Sequence, residues 1–418
     1  MARRKWWSWS RRSSEPSDLS KPARWFMDWL GISNTSSGER VTNENAILNS
    51  NIYTVASILG GDIGKLPVQV FRRRGGDISK DSDHPVAWLL GTRANMFMSA
   101  YTFKELSMVH LVTWGNFYAN IEWDEAGMPK ALWPLDPSKT DVKVDWVTRE
   151  LWYVTTLPTG EQRKLPMQDV FHLKLLSTTG LKGITPIAAL REKLGSQQAM
   201  DKFTSKFYKN GTSTSGILKT DQTLDKSAKE RVREEWTRLH TGLENAHRIA
   251  VLDAALDYKS IGMPLKDAEF IQTHKFGISE IAKLFKIPPH KLGQLDKATF
   301  SNIEHQSLEY VKNTLQPHLT NYEQESNFKL FTRNGVRDKG RYAKFNVTSE
   351  LRGDSQSRAA YYKEMIMMGV YTINEVRELE ERDNIGEMGD KHIIPLNMTT
   401  LDKLGQVGGG EQAGQEEG

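Results

Sequence analysis

Two stripes of apolar residues at helical spacing, separated by a short polar segment, are the clearest pattern in the chain. The first stripe predicts a helix that ends at Ile287, because the Pro288–Pro289 pair removes two backbone donors; its positions are Ile278, Ile281, Ala282, Phe285 and Ile287. The second stripe predicts a long helix that continues through Phe331 and that Pro317 kinks; its positions are Leu308, Val311, Leu315, Leu319 and Tyr322. Residues 288–303 are therefore predicted to form a loop held at both ends.

Upstream, the pattern predicts a mixed unit of helices and strands. A helix from Asn43 to Leu59 is expected to end at Gly60–Gly61, and a strand from Leu66 to Arg72 precedes a turn at Gly75–Gly76. A buried helix runs from Phe103 to Trp114. Short alternating runs then predict strands at Phe117–Trp123, Ala131–Leu135, Val142–Trp146, Leu151–Val154 and Asp169–Leu173. Helices combined with such strands indicate the α+β class.

The middle of the chain predicts a small module inserted between two long helices. The first helix covers Gly183 to Gly211, with Pro186 in its first turn and one apolar face; that face contains Ile187, Leu190, Leu194, Met200, Phe203 and Phe207. The module itself combines a charged helix, Asp225–His240, with strands at Gly216–Lys219, Arg248–Leu252 and Leu256–Ser260. After the long helix, a strand from Tyr342 to Val347 leads to a final helical region. There Gly369 ends one helix and Thr372–Glu375 has capping-box spacing for the next.

Composition limits the class of protein. With 418 residues, 38% hydrophobic and 26% charged, the chain is expected to form two to four packed units of a soluble protein. It contains no run of 18 apolar residues, so no membrane span is predicted. It has no cysteine, which excludes disulfides and thiolate metal sites. The net charge of +4 is too small for a non-specific nucleic-acid coat.

No catalytic motif is recognisable in the sequence. The phrase from Gly60 to Leu66 resembles a phosphate loop, but its spacing is one residue short, Leu66 replaces the Ser or Thr that holds Mg²⁺, and Pro67 prevents a following helix. The histidines form no HxxH, HxxxH or HExxH pair, and His110 and His172 are interpreted as core residues. Asp253 and Asp257 share a strand face, a spacing common by chance. The chain is therefore predicted to have no catalytic residues, no metal site and no cofactor, and not to be an enzyme.

The first residues form a basic arm rich in tryptophan. Residues 1–24 contain seven basic and two acidic residues, with Trp6, Trp7 and Trp9 among them. A disordered tail is the plainest interpretation. A membrane-surface anchor, a nucleic-acid contact and a docking peptide are the alternatives, whereas a secretory signal is excluded because no apolar segment follows the charges.

Several short sequence segments, taken in order along the chain, resemble segments of the HK97-type portal proteins of tailed bacteriophages. They are GLKGITPI, KFYKNGTSTSGILKTD, ISEIAKLFKIPPHKLG, KATFSNIEHQ, NTLQPHL and GVYTINEVRE. The resemblance runs from about Asn43 to about Arg382. It implies a portal fold with a wing, a long-helix stem, an inserted α+β clip, a tunnel loop and a helical C-terminal crown. The implied divisions are a disordered arm (1–42), wing (43–186), stem helix (187–211), clip (212–262), stem helix (263–287), tunnel loop (288–303), wing helix and strand (304–350), crown (351–400) and disordered tail (401–418).

The resemblance implies a ring, dodecameric in the virion, at one capsid vertex. Its channel would pass double-stranded DNA during packaging and ejection without reading sequence. The implied partners are the terminase large subunit, a neck or head-completion protein, and the major capsid and scaffold proteins, with no membrane. The implied location is the virion portal vertex, with the host cytoplasm during assembly.

Two groups of residues are the candidate sites. By likeness to the family's tunnel loop, the DNA channel is assigned to Lys291, Gln294, Leu295, Asp296 and Lys297, of which the last four form the constriction. An ordinary connection between two helices is the alternative for this loop. In the clip, docking of the motor and neck is assigned to Lys226, Lys229, Arg231, Arg233 and Arg238. A plain solvated face is the alternative for the clip helix, because Glu230, Glu234 and Glu235 are interleaved and form supporting pairs one turn apart. The rival function classes are a DNA-processing enzyme of the packaging apparatus and a capsid or scaffold component.

Overall fold

The computed structural model describes most of the chain, in segments. The described residues are 35–157, 159–210, 216–220, 223–240, 256–260, 277–293, 306–333, 336–338, 340–347, 355–380 and 382–393. They fall in two compact units, Met1–Phe345 and Asn346–Gly418. None of the helices among them is both long and apolar enough to cross a membrane.

The first unit alternates helices with antiparallel strands. Its N-terminal part contains α1 (Asn43–Ala46), α2 (Ser50–Gly64), β1 (Val68–Arg74), β2 (Asp77–Lys80), α3 (Pro85–Gly91), α4 (Ala100–Trp114), β3 (Asn116–Trp123), β4 (Pro129–Leu135), β5 (Thr140–Asp145), β6 (Glu150–Thr156), β7 (Gln162–Pro166) and β8 (Val170–Lys174). A 3₁₀ turn at Met167–Asp169 joins β7 to β8. The predicted α+β class is confirmed.

The second part of this unit contains the long helices. It comprises α5 (Pro186–Asn210), β9 (Gly216–Thr220), α6 (Lys226–His240), β10 (Leu256–Ser260), α7 (277–285) and a 3₁₀ helix at Pro289–Leu292. The next helix begins at 306, passes through a π-helix at Val311–Leu315 and continues as α8 (Gln316–Lys329). It is followed by β11 (Thr332–Arg333), β12 (Val336–Arg337) and β13 (Arg341–Phe345).

The strands form small antiparallel sheets rather than one large sheet. Their orders are β13-β1-β2, β4-β3-β8 and β5-β6-β7, with the pairs β9-β10 and β11-β12. Helix α8 packs on both β8 and β13, so a helix from late in the chain closes the core built by its first half. That core is aromatic: Phe103 lies edge-on to Phe117, and Tyr322 of α8 lies edge-on to Phe345. All four rings are almost fully buried.

Helix ends follow their capping residues. Asn49 accepts hydrogen bonds from the backbone of Asn51 and Ile52 and starts α2. Ser99 starts α4 in the same way by accepting from Thr102, and Gly115, in the left-handed region at φ 70°, ends it. Pro186 is the first residue of α5.

Several predicted boundaries are wrong. Helix α2 does not end at Gly60–Gly61 but continues to Gly64, because Gly60 and Gly64 let it approach Glu105 and Tyr101 of α4. Helix α5 begins at Pro186, not Gly183. The helix before Pro288 ends at 285, α8 ends at Lys329, and the last strand of this unit is Arg341–Phe345. The strands at Asp77–Lys80 and Gln162–Pro166 were not predicted.

The disordered arm predicted for residues 1–42 is too long. Residues 35–42 belong to the fold: Val41 is fully buried, and the backbone N–H of Ser36 donates to Glu192 on α5 at 3.0 Å. Thr35 fits against Gly195, where a larger residue would collide with it. Residues 1–34 lie outside the described residues, as do the predicted strand Arg248–Leu252 and the tail 401–418.

The second unit contains α9 (Ser355–Met367), α10 (Ile373–Leu379) and a 3₁₀ turn at Glu387–Asp390. The predicted capping box is confirmed, since the Thr372 side chain accepts from the Glu375 backbone and the Glu375 side chain accepts from the Thr372 backbone. Gly369 follows α9 in the left-handed region, as predicted. Asn374 connects α10 to the 3₁₀ turn by donating hydrogen bonds to the Gly386 carbonyl and to Asp390.

Candidate functional site

The base of the predicted tunnel loop is a fixed turn after α7. Lys286 is in the left-handed region at φ 55°, which costs energy for a residue with a side chain. The Thr314 hydroxyl donates to the Lys286 carbonyl at 2.5 Å, and the Ile287 N–H donates to the Ala282 carbonyl at 2.9 Å. Ile287 is buried. The hydrogen bond from Thr314, on the helix after the loop, therefore fixes the direction in which the chain leaves α7.

Next, a 3₁₀ helix, Pro289–Leu292, places Lys291 on the wing. The Lys291 ammonium lies 2.8 Å from an Asp62 carboxylate oxygen and 4.2 Å from the centre of the Tyr310 ring. The Tyr310 hydroxyl donates to the same Asp62 oxygen at 2.9 Å, while Lys65 contacts the other oxygen at 2.9 Å. Asp62, which lies on α2, thus connects this helix to the 3₁₀ helix through Lys291 and to the helix after the loop through Tyr310. We call Asp62, Lys65, Lys291 and Tyr310 the loop anchor.

Electrostatics keep Asp62 ionised. Burial alone raises the pKa of this carboxyl, but the hydrogen bonds from Lys291 and Lys65 outweigh it, so the pKa lies below its ordinary value. Since the ion pair is mostly shielded from solvent, with 25% of the Lys291 and 13% of the Asp62 side chain exposed, it is screened less than a surface pair. The loop anchor is thus charged at neutral pH.

A cavity of about 540 Å³ lies beside this turn. It is lined on one side by Lys286, Ile287 and Pro288 and on the other by residues 306–314. There the helix adopts π geometry over Val311–Leu315, ending as the Gln316 N–H donates to the Val311 carbonyl. Pro317, which has no backbone N–H to donate, is the second residue after this π-helix. The backbone hydrogen bonds therefore change from π to α spacing next to the proline.

The structure describes only part of the predicted channel site. Lys291 lies in the loop anchor, paired with Asp62. Gln294, Leu295, Asp296 and Lys297 lie outside the described residues. The near end of the loop is Gly293, at φ 82°. The far end is residue 306, whose side-chain oxygen lies 2.8 Å from His290 Nδ1. His290 and Gln306 therefore hold the two ends of the loop together.

The predicted clip residues share one exposed helix. Lys226, Lys229, Arg231, Arg233 and Arg238 are all exposed on α6, and Arg238 forms an ion pair with Glu235. Asp225 starts the helix by accepting from the Ala228 N–H at 2.6 Å. Beside it, β9 and β10 pair over Gly216–Thr220 and Leu256–Ser260. Helical spacing places Lys226, Lys229 and Arg233 on one side of α6 and Arg231 and Arg238 on the other.

The histidine interpretation is correct for His172. Its ring contacts the Tyr153 hydroxyl at 3.1 Å and the Asn116 amide oxygen at 3.2 Å, and its backbone N–H donates to Glu325 of α8 at 3.1 Å. Burial lowers the pKa of His172 to about 3. His110 also packs in the core, with its ring 5.7 Å from that of Phe117, but its buried Nδ1 has no hydrogen-bond partner among the residues that the structure describes.

Asp62 was not predicted as a site residue, although it lies in the segment Gly60–Leu66, which lacks the spacing of a phosphate loop. A usable signal was present, since Asp62 is the only charged residue in an otherwise apolar and polar helix. Within the described part of the chain, no group of three His, Asp or Glu side chains could hold a metal ion.

Comparison with known proteins gives the family. The sequence profile of the family described as phage portal protein matches residues 50–381. The chain belongs to the phage portal protein family. The portal protein of Enterobacteria phage HK97 is 33% identical over 350 residues, covering 82% of this chain and 81% of that protein. The probable portal protein of Streptomyces phage phiC31 is 28% identical over 385 residues, covering 89% and 82%.

Solved structures support the portal fold. A chain from the virion of a native gene transfer agent particle has a TM-score of 0.57 at 21% identity, covering 86% of this portal protein and 98% of that chain. An HK97-family portal protein from Corynebacterium diphtheriae has a TM-score of 0.53 at 11% identity, covering 77% and 99%. Portal proteins are structural components of the virion, so the predicted class is confirmed.

Proposed function

We propose that this portal protein assembles as a closed twelve-fold ring at one capsid vertex, where its channel passes DNA into and out of the head. The observation that carries the proposal is the match to the portal family over residues 50–381. A similar chain, at TM-score 0.55 and 20% identity, forms part of a gene transfer agent neck computed with C12 symmetry.

A ring also accounts for apolar surface on α5. Ile187, Leu190 and Leu194 of this helix are buried, whereas Phe203 is 56% exposed in the single chain. Phe203 follows Leu194 by two and a half helical turns, so it lies on the opposite side of α5 and not on the predicted common face. In a ring, neighbouring copies of α5 would pack side by side and cover it.

Native mass spectrometry and negative-stain electron microscopy of the purified chain test this directly. Closed rings of about a dozen subunits are expected. A strict monomer at high concentration, with no ring even beside the capsid protein, would contradict the proposal. Shells or solid cores would instead favour the capsid or scaffold class, and nuclease or ATPase activity would favour a DNA-processing enzyme.

The tunnel loop is proposed to line the channel constriction through Gln294, Leu295, Asp296 and Lys297. DNA must slide through the channel, so contacts should be weak and independent of sequence. The loop's charges suit this role, since Lys297 is balanced by Asp296. Because Lys291 is paired with Asp62, its role in this proposal is to hold the base of the loop against the wing.

Deletion of residues 294–297 separates a channel role from a structural one. The loop anchor and the His290–Gln306 contact lie outside the deletion, and shortening a surface loop costs little stability, so rings and procapsids should still form. Late packaging or retention of DNA should fail, whereas Lys297→Ala alone should be mild. A deletion particle that keeps a full genome, or one that forms no ring, would contradict this role.

Docking of the terminase large subunit and the neck protein is proposed for the clip, through Lys226, Lys229, Arg231, Arg233 and Arg238. The exposure of all five cations on α6 supports an acidic partner surface. Assembly with capsid and scaffold proteins in the host cytoplasm would precede residence in the virion.

A further inference from the structure

An apolar groove of about 360 Å³ lies between α2 and α4, on a part of the wing that the proposed channel function does not use. Its apolar lining consists of Ile47, Tyr53, Ala56, Met98, Leu106 and Val109. Glu105 is the only charged residue in the lining. The groove is therefore suited to apolar side chains with a cation near one edge.

The rim of this groove exposes large side chains to solvent. Tyr53 is 64% exposed, and Leu48, the neighbour of Ile47 in the chain, is 84% exposed. Contiguous apolar surface of this kind usually marks a binding site, because leaving it in water is unfavourable.

The chain itself contains a segment with matching chemistry. Trp25, Phe26, Trp29 and Leu30 recur at the spacing that places them on one face of a helix, and Arg24 precedes them. These residues lie outside the described part of the chain, which begins at Thr35.

The contacts of residues 36–49 attach both the start of the described chain and the residues beside the groove to the same helix. Ser36 is hydrogen bonded to Glu192 of α5, and Asn49 is hydrogen bonded to Gln197 of the same helix. These two positions on α5 are about 7.5 Å apart along the helix axis. Ile47, in the groove wall, precedes Asn49 by two residues. The four residues 31–34 can span about 13 Å.

We propose that residues 25–30 dock in this groove on their own subunit, with Trp25, Phe26, Trp29 and Leu30 against its apolar wall and Arg24 near Glu105. Docking there would fix the basic, tryptophan-rich residues 1–24 to the wing. The arm would then extend from a defined point on the subunit.

Crosslinking tests the docking, because the chain has no cysteine of its own. Gly31→Cys is combined with Thr102→Cys at the groove, and a short bismaleimide is added to purified rings. The matched control combines Gly31→Cys with Ser79→Cys, an exposed residue on the β1–β2 hairpin. The groove pair should crosslink within one chain several-fold more than the control pair, as identified by peptide mass spectrometry of the monomer-sized band.

Two further variants show whether the groove and the aromatic face cause the crosslink. Ser57→Trp fills the groove from its exposed rim, and Trp25→Ala with Trp29→Ala removes the docking side chains without touching the described fold. Both should reduce crosslinking to the control level while rings persist. A crosslink between subunits, a yield equal to the control, or a yield unaffected by both variants would overturn the proposal. None of these results depends on the ring's role in packaging.

Discussion

A single carboxylate, Asp62, holds together parts of the chain that are far apart in sequence. Its partner Lys291 is 229 residues away and Tyr310 is 248 residues away. Charge-assisted hydrogen bonds of this kind are stronger than neutral ones, and the partial burial of the pair limits screening. Asp62 therefore fixes the position of the 3₁₀ helix Pro289–Leu292 relative to α2.

Asp62→Asn should lower the free energy of unfolding by about 1–3 kcal/mol, because it leaves the half-buried Lys291 ammonium opposite a neutral amide. The matched control is Asp141→Asn, whose ion pair with Lys182 has side chains 59% and 48% exposed. The control should stay within about 0.5 kcal/mol. Urea unfolding at neutral pH measures both, and equal losses would contradict the special role of Asp62.

The loss of unfolding free energy caused by Asp62→Asn should decrease as the pH falls. The folded pKa of Asp62 lies below its ordinary value of 3.8, so its stabilising contribution is fully present above that pH. The contribution is lost as the pH falls through the folded pKa. The difference between the wild type and Asp62→Asn should therefore vanish in acid.

His172 provides a second residue with a pH signature. Burial, followed by the nearby Lys174 and Lys329, lowers its pKa from 6.5 to about 3, so below pH 6.5 the unfolded chain takes up a proton that the folded chain does not. From this residue the wild type should lose about 1.4 kcal/mol of stability per pH unit as the pH falls below that value.

His172→Gln should cost about 1–3 kcal/mol at pH 7.5, because it removes ring contacts to Tyr153 and Asn116. This cost should shrink by about 2 kcal/mol between pH 6.5 and pH 5, because the variant lacks the histidine's proton uptake on unfolding. Exposed His392→Gln serves as the control and should show neither effect. A cost independent of pH would indicate that His172 has the same pKa in the folded and the unfolded chain.

At the scale of elements, the end of α4 meets the segment before α5 at an unusually close backbone contact. A Cβ built on Gly115 would lie 2.2 Å from the Ile184 carbonyl oxygen, and one on Gly183 would lie 2.2 Å from the Gly115 carbonyl oxygen. The Asn116 side chain bridges the same contact through the backbone N–H and carbonyl of Gly183. The direction in which α5 leaves this part of the fold depends on this crossing.

Gly115→Ala should lower the free energy of unfolding by about 2–5 kcal/mol, combining the cost of a left-handed non-glycine residue with a steric clash against backbone. Gly75→Ala is the matched control, because Gly75 is also left-handed, at φ 65°, but has nothing within 4 Å of the new methyl group. It should cost only about 1–2 kcal/mol. Chemical unfolding of both variants measures the difference, and equal costs would show that the crossing relaxes easily.

The sequence predicted most helices and strands, but not the features that depend on contacts between residues far apart in the chain. Apolar alternation was sufficient for β3, β4, β5, β6 and β8, and the Thr372 capping box was correct because it is local. The predicted end of α2 at Gly60–Gly61 is wrong because a glycine that usually ends a helix here allows the close approach of α2 to α4. The loop anchor could not be predicted, since no spacing rule joins Asp62 to Lys291.

For the whole molecule, the placement of charge is more informative than its total. The net charge is only +4, yet α6 exposes five basic residues on a module separated from the wing by α5. A plain solvated helix would carry the same cations paired with its own glutamates. Arg231 and Glu235, as well as Glu234 and Arg238, have the spacing for such pairs. The two interpretations differ in what happens when the charge is reversed.

The triple variant Lys229→Glu, Arg231→Glu and Arg233→Glu should leave rings intact but abolish DNA packaging in a complementation assay. Ring formation should survive because the lost pairs on a solvated helix are worth only about 0.2–0.5 kcal/mol each. Packaging should fail because an acidic partner surface would now meet like charge. The matched control, Arg74→Glu, Lys143→Glu and Lys344→Glu, makes the same change in net charge at exposed wing positions. If the control packages normally and the clip variant does not, the position of the charge decides the outcome. Normal packaging by the clip variant would identify α6 as a solvated surface and exclude it as the docking site.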